Sequence, residues 1–169
     1  MKKSTYLKMT KHMRESSVWP RRIHRINLIL TIIVMISYPL LLVWLFLQRD
    51  AAALVRGIIV PMDAFILLSV IRYWIGAKRP YEIFEVEPVI PKKTKGNSFP
   101  SRHVFSVFMI AMTYLALAPS PLPGIGMILT GILLAVVRVV SGVHFPRDVI
   151  VGMLAGVASG IIGYYLIPV

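Results

Sequence analysis

Three groups of ionisable residues interrupt a largely apolar chain: Arg72 with Arg79-Pro80, then Pro100-Ser101-Arg102-His103, then Arg138 with His144 and Asp148. Their types suit phosphate chemistry. A guanidinium presents a planar fork of donors that matches phosphate oxygens, and several around one anion spread the charge that develops in an in-line phosphoryl transfer. Arg72, Arg79 and Arg138 are the candidates for that cradle. Pro100-Ser101 reads as the start of a helix, where Ser101 can cap and free backbone N–H groups can meet an anion without a metal. His144 can supply an imidazole nitrogen as nucleophile. Asp148, one helical turn on, can hold the proton of the other ring nitrogen and stabilise the cation that forms. His103 is left to protonate the leaving oxygen. His12 and His24 lie in a basic tail and read as structural.

The elements that must position these groups are membrane spans. The chain has 169 residues, 57% hydrophobic and only 15% charged, which excludes an average water-soluble globule and a disordered chain. Its formal charge of +12 points to anionic partners, and apolar runs of this length favour membrane and phosphate over nucleic acid. With no cysteine there is no disulfide, thiolate metal site or thiol catalysis. Five apolar stretches, near 26–47, 54–75, 103–118, 125–140 and 149–167, are each bounded by charge, Pro or Gly and predict five crossings of an all-α membrane bundle. The third is short for a full crossing. The first is too long for a signal peptide, and Arg49 and Asp50 interrupt it before Ala51-Ala52-Ala53. Residues 26–169 thus read as one transmembrane domain with no internal repeat.

Residues 1–25 form a basic tail, with Lys2, Lys3, Lys8, Lys11, Arg14, Arg21, Arg22 and Arg25 against Glu15. It reads either as a flexible tail or as an interfacial helix whose apolar side is Tyr6, Met9, Met13 and Trp19. Counting crossings puts this tail, the 76–102 loop and the 141–148 turn on one side, together with nearly all Lys and Arg, so the positive-inside rule makes that side cytoplasmic. All three ionisable groups fall there, at converging helix ends, and because charges at membrane depth are costly unless paired or hydrated, their assembly reads as a site. Gly152, Gly156 and Gly160 read as a packing stripe. Asp63 reads as a polar contact inside the bundle or as compensation for Arg56. The 76–100 connection, with Glu82, Glu85, Glu87, Lys92, Lys93 and Lys95, reads as a surface loop or as a cover over the pocket whose lysines attract lipid headgroups.

The constellation from Arg72 to Asp148 resembles the type 2 phosphatidic acid phosphatase (PAP2) superfamily, whose signatures are Lys-x6-Arg-Pro, Pro-Ser-Gly-His and Ser-Arg-x5-His-x3-Asp. Order and internal spacings agree. The resemblance implies that His103 is the general acid, that His144 becomes a phosphohistidine and that Asp148 orients it. It further implies a lipid phosphatase that needs neither metal nor cofactor, acting on phosphatidic acid, phosphatidylglycerol phosphate or a polyprenyl diphosphate. A vanadate-dependent haloperoxidase is the rival enzyme under the same resemblance, and a non-catalytic binder of anionic lipid is the rival outside enzymes. Three positions depart from the pattern: Arg72 stands for Lys, Arg102 for Gly and Val137 for Ser. Arg102, beside the general acid, could bind a headgroup or a second phosphate.

Overall fold

Proline and glycine punctuate the chain where the helices begin and stop. In a computed structural model, residues 3–92 and 94–167 are described, so Lys2 of the tail and Lys93 of the loop lie outside the described residues. The order is α1 (Lys3–Glu15), α2 (Trp19–Leu47), α3 (Ala51–Ile75), α4 (Pro80–Phe84), α5 (Arg102–Leu117), α6 (Leu122–Val140) and α7 (Pro146–Ile161), which runs on into a π-helical turn, Ile162–Leu166. The described residues contain helices and no strand.

The segments holding α2, α3, α6 and α7 are long and apolar enough to cross a membrane. Helix α5 has 16 residues, about 24 Å at the helical rise, and falls short of the roughly 30 Å of hydrocarbon. Its place explains the short length. Val104, Phe105, Val107, Phe108, Met109 and Ala111 are all buried, so α5 is the central helix, wrapped by protein rather than lipid. Helix α7 lies directly on it. A Cβ at Gly152 would stand 2.6 Å from the Ser101 carbonyl oxygen and one at Gly156 2.7 Å from that of Phe105, so hydrogen at these positions lets the two backbones touch.

Two expectations change. Helix α2 begins at Trp19, with Pro20 in its first turn, so exposed Arg21, Arg22 and Arg25 are helical and precede the apolar run on the same rod. Asp63 does not compensate Arg56. It is exposed on the outside of α3, while Arg56 donates to the carbonyls of Gly163 (3.2 Å) and Tyr164 (2.9 Å). Those acceptors are carbonyls of the π turn that closes α7, nearer to the guanidinium than a carboxylate two turns along its own helix.

The tail is helical over α1, and its apolar side turns to protein. Tyr6 is buried, and Met13 and Trp19 pack against the core around Ile23, Val89, Val107 and Val143. Met9 alone of the four expected residues faces outward, 39% exposed.

Candidate active site

Each signature residue reaches the site through a local backbone device. Gly76, at φ +55°, ends α3 in a left-handed cap whose N–H bonds the Arg72 carbonyl, so the chain reverses one turn after Arg72. After α6 the N–H groups of Val143 and His144 both reach the Arg138 carbonyl, each at 3.3 Å. That closed turn gives the Arg-x5-His spacing its meaning, because it folds Arg138 and His144 back onto one wall. Asp148 follows in the first turn of α7, and its carbonyl accepts the Ser101 N–H at 2.8 Å, which ties the start of α7 to the start of α5.

The result is a cavity of about 280 Å³ lined by Arg72, Arg79, Arg102, Arg138, His103 and His144, with Lys92 and Lys95 in its wall. Among the described residues no carboxylate lines it. Carbonyls hold the arginines: Arg72 donates through Nη2 to Asn97, and Arg79 donates through Nε to Gly96 (3.1 Å) and through Nη1 to Val143 (3.3 Å). Carbonyls fix a guanidinium without cancelling its charge. Arg72 Nη1 and Arg138 Nε, on two residues that line the cavity, are buried with no partner among the described residues, as is Ser101 Oγ outside the lining. Burial and then the neighbouring Arg138, Arg79 and Arg102 lower the Lys92 ammonium from its usual value, as expected beside a concentrated positive field.

His144 is 3% exposed, and its Nδ1 lies 3.5 Å from Asp148 Oδ2. That carboxylate oxygen also accepts the Ser98 hydroxyl at 2.6 Å and the Phe145 N–H at 3.0 Å. With Nδ1 turned to the carboxylate, Nε2 is the ring nitrogen free for the cavity. Burial pushes the imidazole down to about 4; Arg79 and Arg138 push the same way, and the Asp148 carboxylate opposes them. The ring is therefore neutral, with its lone pair available, through the physiological range.

Six of the eight predicted site residues line the cavity, while Asp148 lies behind His144 and Ser101 lies outside the lining, and two differ in detail. Ser101 takes the cap position of α5, yet its hydroxyl makes no capping bond and stays buried without a partner, while its N–H goes to Asp148. Arg102 is exposed at the rim, its guanidinium 5.5 Å from the centre of the Phe65 ring. Two residues had escaped the sequence reading. Ser98, fully buried, touches both members of the His144–Asp148 pair, lying 3.4 Å from His144 Nδ1. Glu82 accepts the N–H groups of Arg79 (2.8 Å) and Gly96 (2.9 Å), and so fixes the strand of loop whose carbonyls hold the arginines.

The PAP2 superfamily profile matches residues 51–169, a stretch that contains all the signature residues. The chain belongs to the PAP2 superfamily. An undecaprenyl-diphosphatase of Sulfolobus acidocaldarius is 33% identical over 93 residues, 55% of this chain, and the match spans 45% of that relative, less than half its length. Among solved structures, LpxE of Aquifex aeolicus superposes with TM-score 0.71 at 24% identity, covering 95% of this chain and 92% of that one. A transmembrane PAP2-type phosphatidylglycerolphosphate phosphatase of Bacillus subtilis gives TM-score 0.72 at 20% identity, covering 95% and 83%. Both share the fold. The apolar helices and the membership together make the chain a multi-pass membrane protein. Against the PAP2 pattern, Arg72 keeps a cation in the cradle, Arg102 adds one at the rim, and Val137 is spent on the apolar core beside Leu134.

Proposed function

We propose that this PAP2 protein is a lipid phosphatase that releases phosphate through a phosphohistidine at His144. The observation that carries the reading is one cavity, lined by no carboxylate among the described residues, that holds two imidazoles and four guanidiniums, with a carboxylate 3.5 Å behind one imidazole. In the proposed first step His144 Nε2 attacks phosphorus, the bond to the lipid oxygen breaks, and His103 gives that oxygen its proton. In the second, water attacks phosphorus, the P–N bond breaks, and His103 takes the water's proton. Asp148 holds Nδ1–H and stabilises the cationic ring. Arg72, Arg79 and Arg138 bind the non-bridging oxygens, with Ser101 Oγ as a further donor and Arg102 at the rim, so guanidiniums carry the charge that a metal carries elsewhere.

Placement at helix ends suits a substrate whose tail stays in lipid, and the basic residues around the mouth support a cytoplasmic face. The substrate class is a lipid phosphomonoester or diphosphate: phosphatidic acid, phosphatidylglycerol phosphate or a polyprenyl diphosphate. The test is phosphate release from those three lipids in mixed micelles. His144→Ala should lose at least about a thousand-fold in rate, the scale of a removed nucleophile. Quenching the wild type in alkaline detergent should trap a phosphoenzyme that survives alkali, is lost on acidification and is absent from the variant. Turnover by the variant, or an acid-stable label, would overturn the proposal.

A further inference from the structure

The turn that carries His144 is gripped from outside by α1, which lies beyond the stretch matched by the superfamily profile. Tyr6 is 2% exposed and donates its hydroxyl to the Gly142 carbonyl at 3.2 Å, two residues before His144. Its ring lies 5.1 Å from that of Phe84, which in turn packs edge-on at 6.0 Å against Phe145, the residue after His144. The grip thus touches the chain on both sides of the imidazole.

The phenol is itself held. Arg14 Nη2 donates to Tyr6 Oη at 3.0 Å, Arg14 Nε donates to Thr10 Oγ1 at 2.9 Å, and the Thr10 hydroxyl donates to the Tyr6 carbonyl at 3.0 Å. Thr10 is fully buried. Burial raises the Tyr6 phenol above its ordinary value, with Arg14 opposing, so it remains a donor at any physiological pH. On the other side of the contact, Gly142 sits at φ +74°, and a Cβ there would stand 2.5 Å from Tyr6 Oη. The turn is therefore shaped to receive a tyrosine oxygen. The residues of this cluster that α1 turns inward do no chemistry of their own, and its outward residues Lys3, Lys8 and Lys11 are exposed.

We infer that Tyr6 is a positioning residue for catalysis: α1 acts as a brace that, through Gly142 and Phe145, holds the His144 ring at its attacking angle. The inference rests on the reading of His144 as nucleophile. It expects the brace to govern kcat and leave KM alone, because it touches the turn and not the cavity.

The test uses the full chain in mixed micelles with dioleoyl phosphatidic acid and farnesyl diphosphate. Tyr6→Phe keeps the ring stack and removes the oxygen; kcat should fall about ten-fold with KM within about two-fold, the worth of one buried hydrogen bond expressed in the transition state. Gly142→Ala should cost about a hundred-fold, the usual loss when a reacting group is misplaced by an ångström. The double variant should be several-fold faster than Gly142→Ala alone, since removing the oxygen relieves the clash. Two positions that acted independently of each other would make the two losses multiply. Unchanged kcat in Tyr6→Phe, or multiplying losses, overturns the inference. NMR of the His144 ring keeps the question open to measurement if the wild type releases phosphate from neither lipid, an outcome that sinks the phosphatase reading instead. Tyr6→Phe should shift and broaden the His144 Cε1–H signal, and an unmoved signal overturns the brace.

Discussion

In the proposed mechanism His144 is neutral when it attacks and cationic afterwards, and its surroundings would serve the two states differently. Burial, with Arg79 and Arg138 beside it, pushes the free ring down to about 4, while the proposed part of the Asp148 carboxylate is to stabilise the cation once phosphate is attached. The sign for stability follows. The unfolded ring titrates near 6.5 and the folded one at about 4, so protons favour the unfolded chain, and the contribution of His144 is whole above 6.5 and lost as pH falls toward 4. In a membrane mimetic the melting temperature should drop between pH 7 and pH 4.5, and His144→Gln should flatten part of that drop. Its ring signal should also fail to titrate between pH 8 and pH 5. Ser98→Ala offers a finer check, because it removes the donor 2.6 Å from Asp148 Oδ2 and frees the carboxylate to swing. A loss of about ten-fold in kcat with little change in KM is expected from one charge-assisted bond. None of the Ser98 contacts was legible in the sequence. Its partner lies fifty positions away, and no spacing rule links a loop serine to a helical aspartate at that distance. The histidines and arginines were legible because their chemistry is rare in an apolar chain.

At the scale of elements, the contact between α5 and α7 sets the geometry of the site, since Ser101 and Asp148 meet through backbone at its upper end. Gly152→Ala would push a methyl group to within 2.6 Å of the Ser101 carbonyl oxygen, an atom that cannot rotate away. It should cost about 1–3 kcal/mol of stability, the usual penalty of overpacking, and should lower activity as well by moving Ser101 and His103. Gly126→Ala is the control, with nothing within 4 Å of the added methyl group, and should change neither. Thermal unfolding and phosphate release, measured on the same preparations, separate the cases. Span ends were readable from Pro, Gly and charge because those residues stop helices for local reasons. The docking of α1 was not, since Tyr6 and Thr10 look like ordinary tail residues until Gly142, 136 positions on from Tyr6, supplies the acceptor.

For the whole molecule, the open physical question is which leaflet the cavity meets, and charge gives a testable answer. The cavity, α1, α4 and the ends of α3 and α6 share one side, with Lys3, Lys8, Lys11, Lys78 and Lys95 about it, whereas the α2–α3 turn on the opposite side carries Arg49 beside Asp50. Basic residues next to spans resist translocation, so this asymmetry supports a cytoplasmic mouth. The chain has no cysteine, which makes single-site labelling clean. Ser4→Cys, Lys95→Cys and Ala52→Cys all fall on exposed positions, the first two on the side of the cavity and the third across the membrane. In intact cells an impermeant maleimide should label Ala52→Cys alone, and the other two should react only after the membrane is opened. Labelling of Ser4→Cys and Lys95→Cys from outside would reverse the orientation. It would also move the proposed substrate from lipid phosphates presented at the cytoplasmic surface to those presented outside, because a cavity at helix ends can draw only on the leaflet whose headgroups reach it.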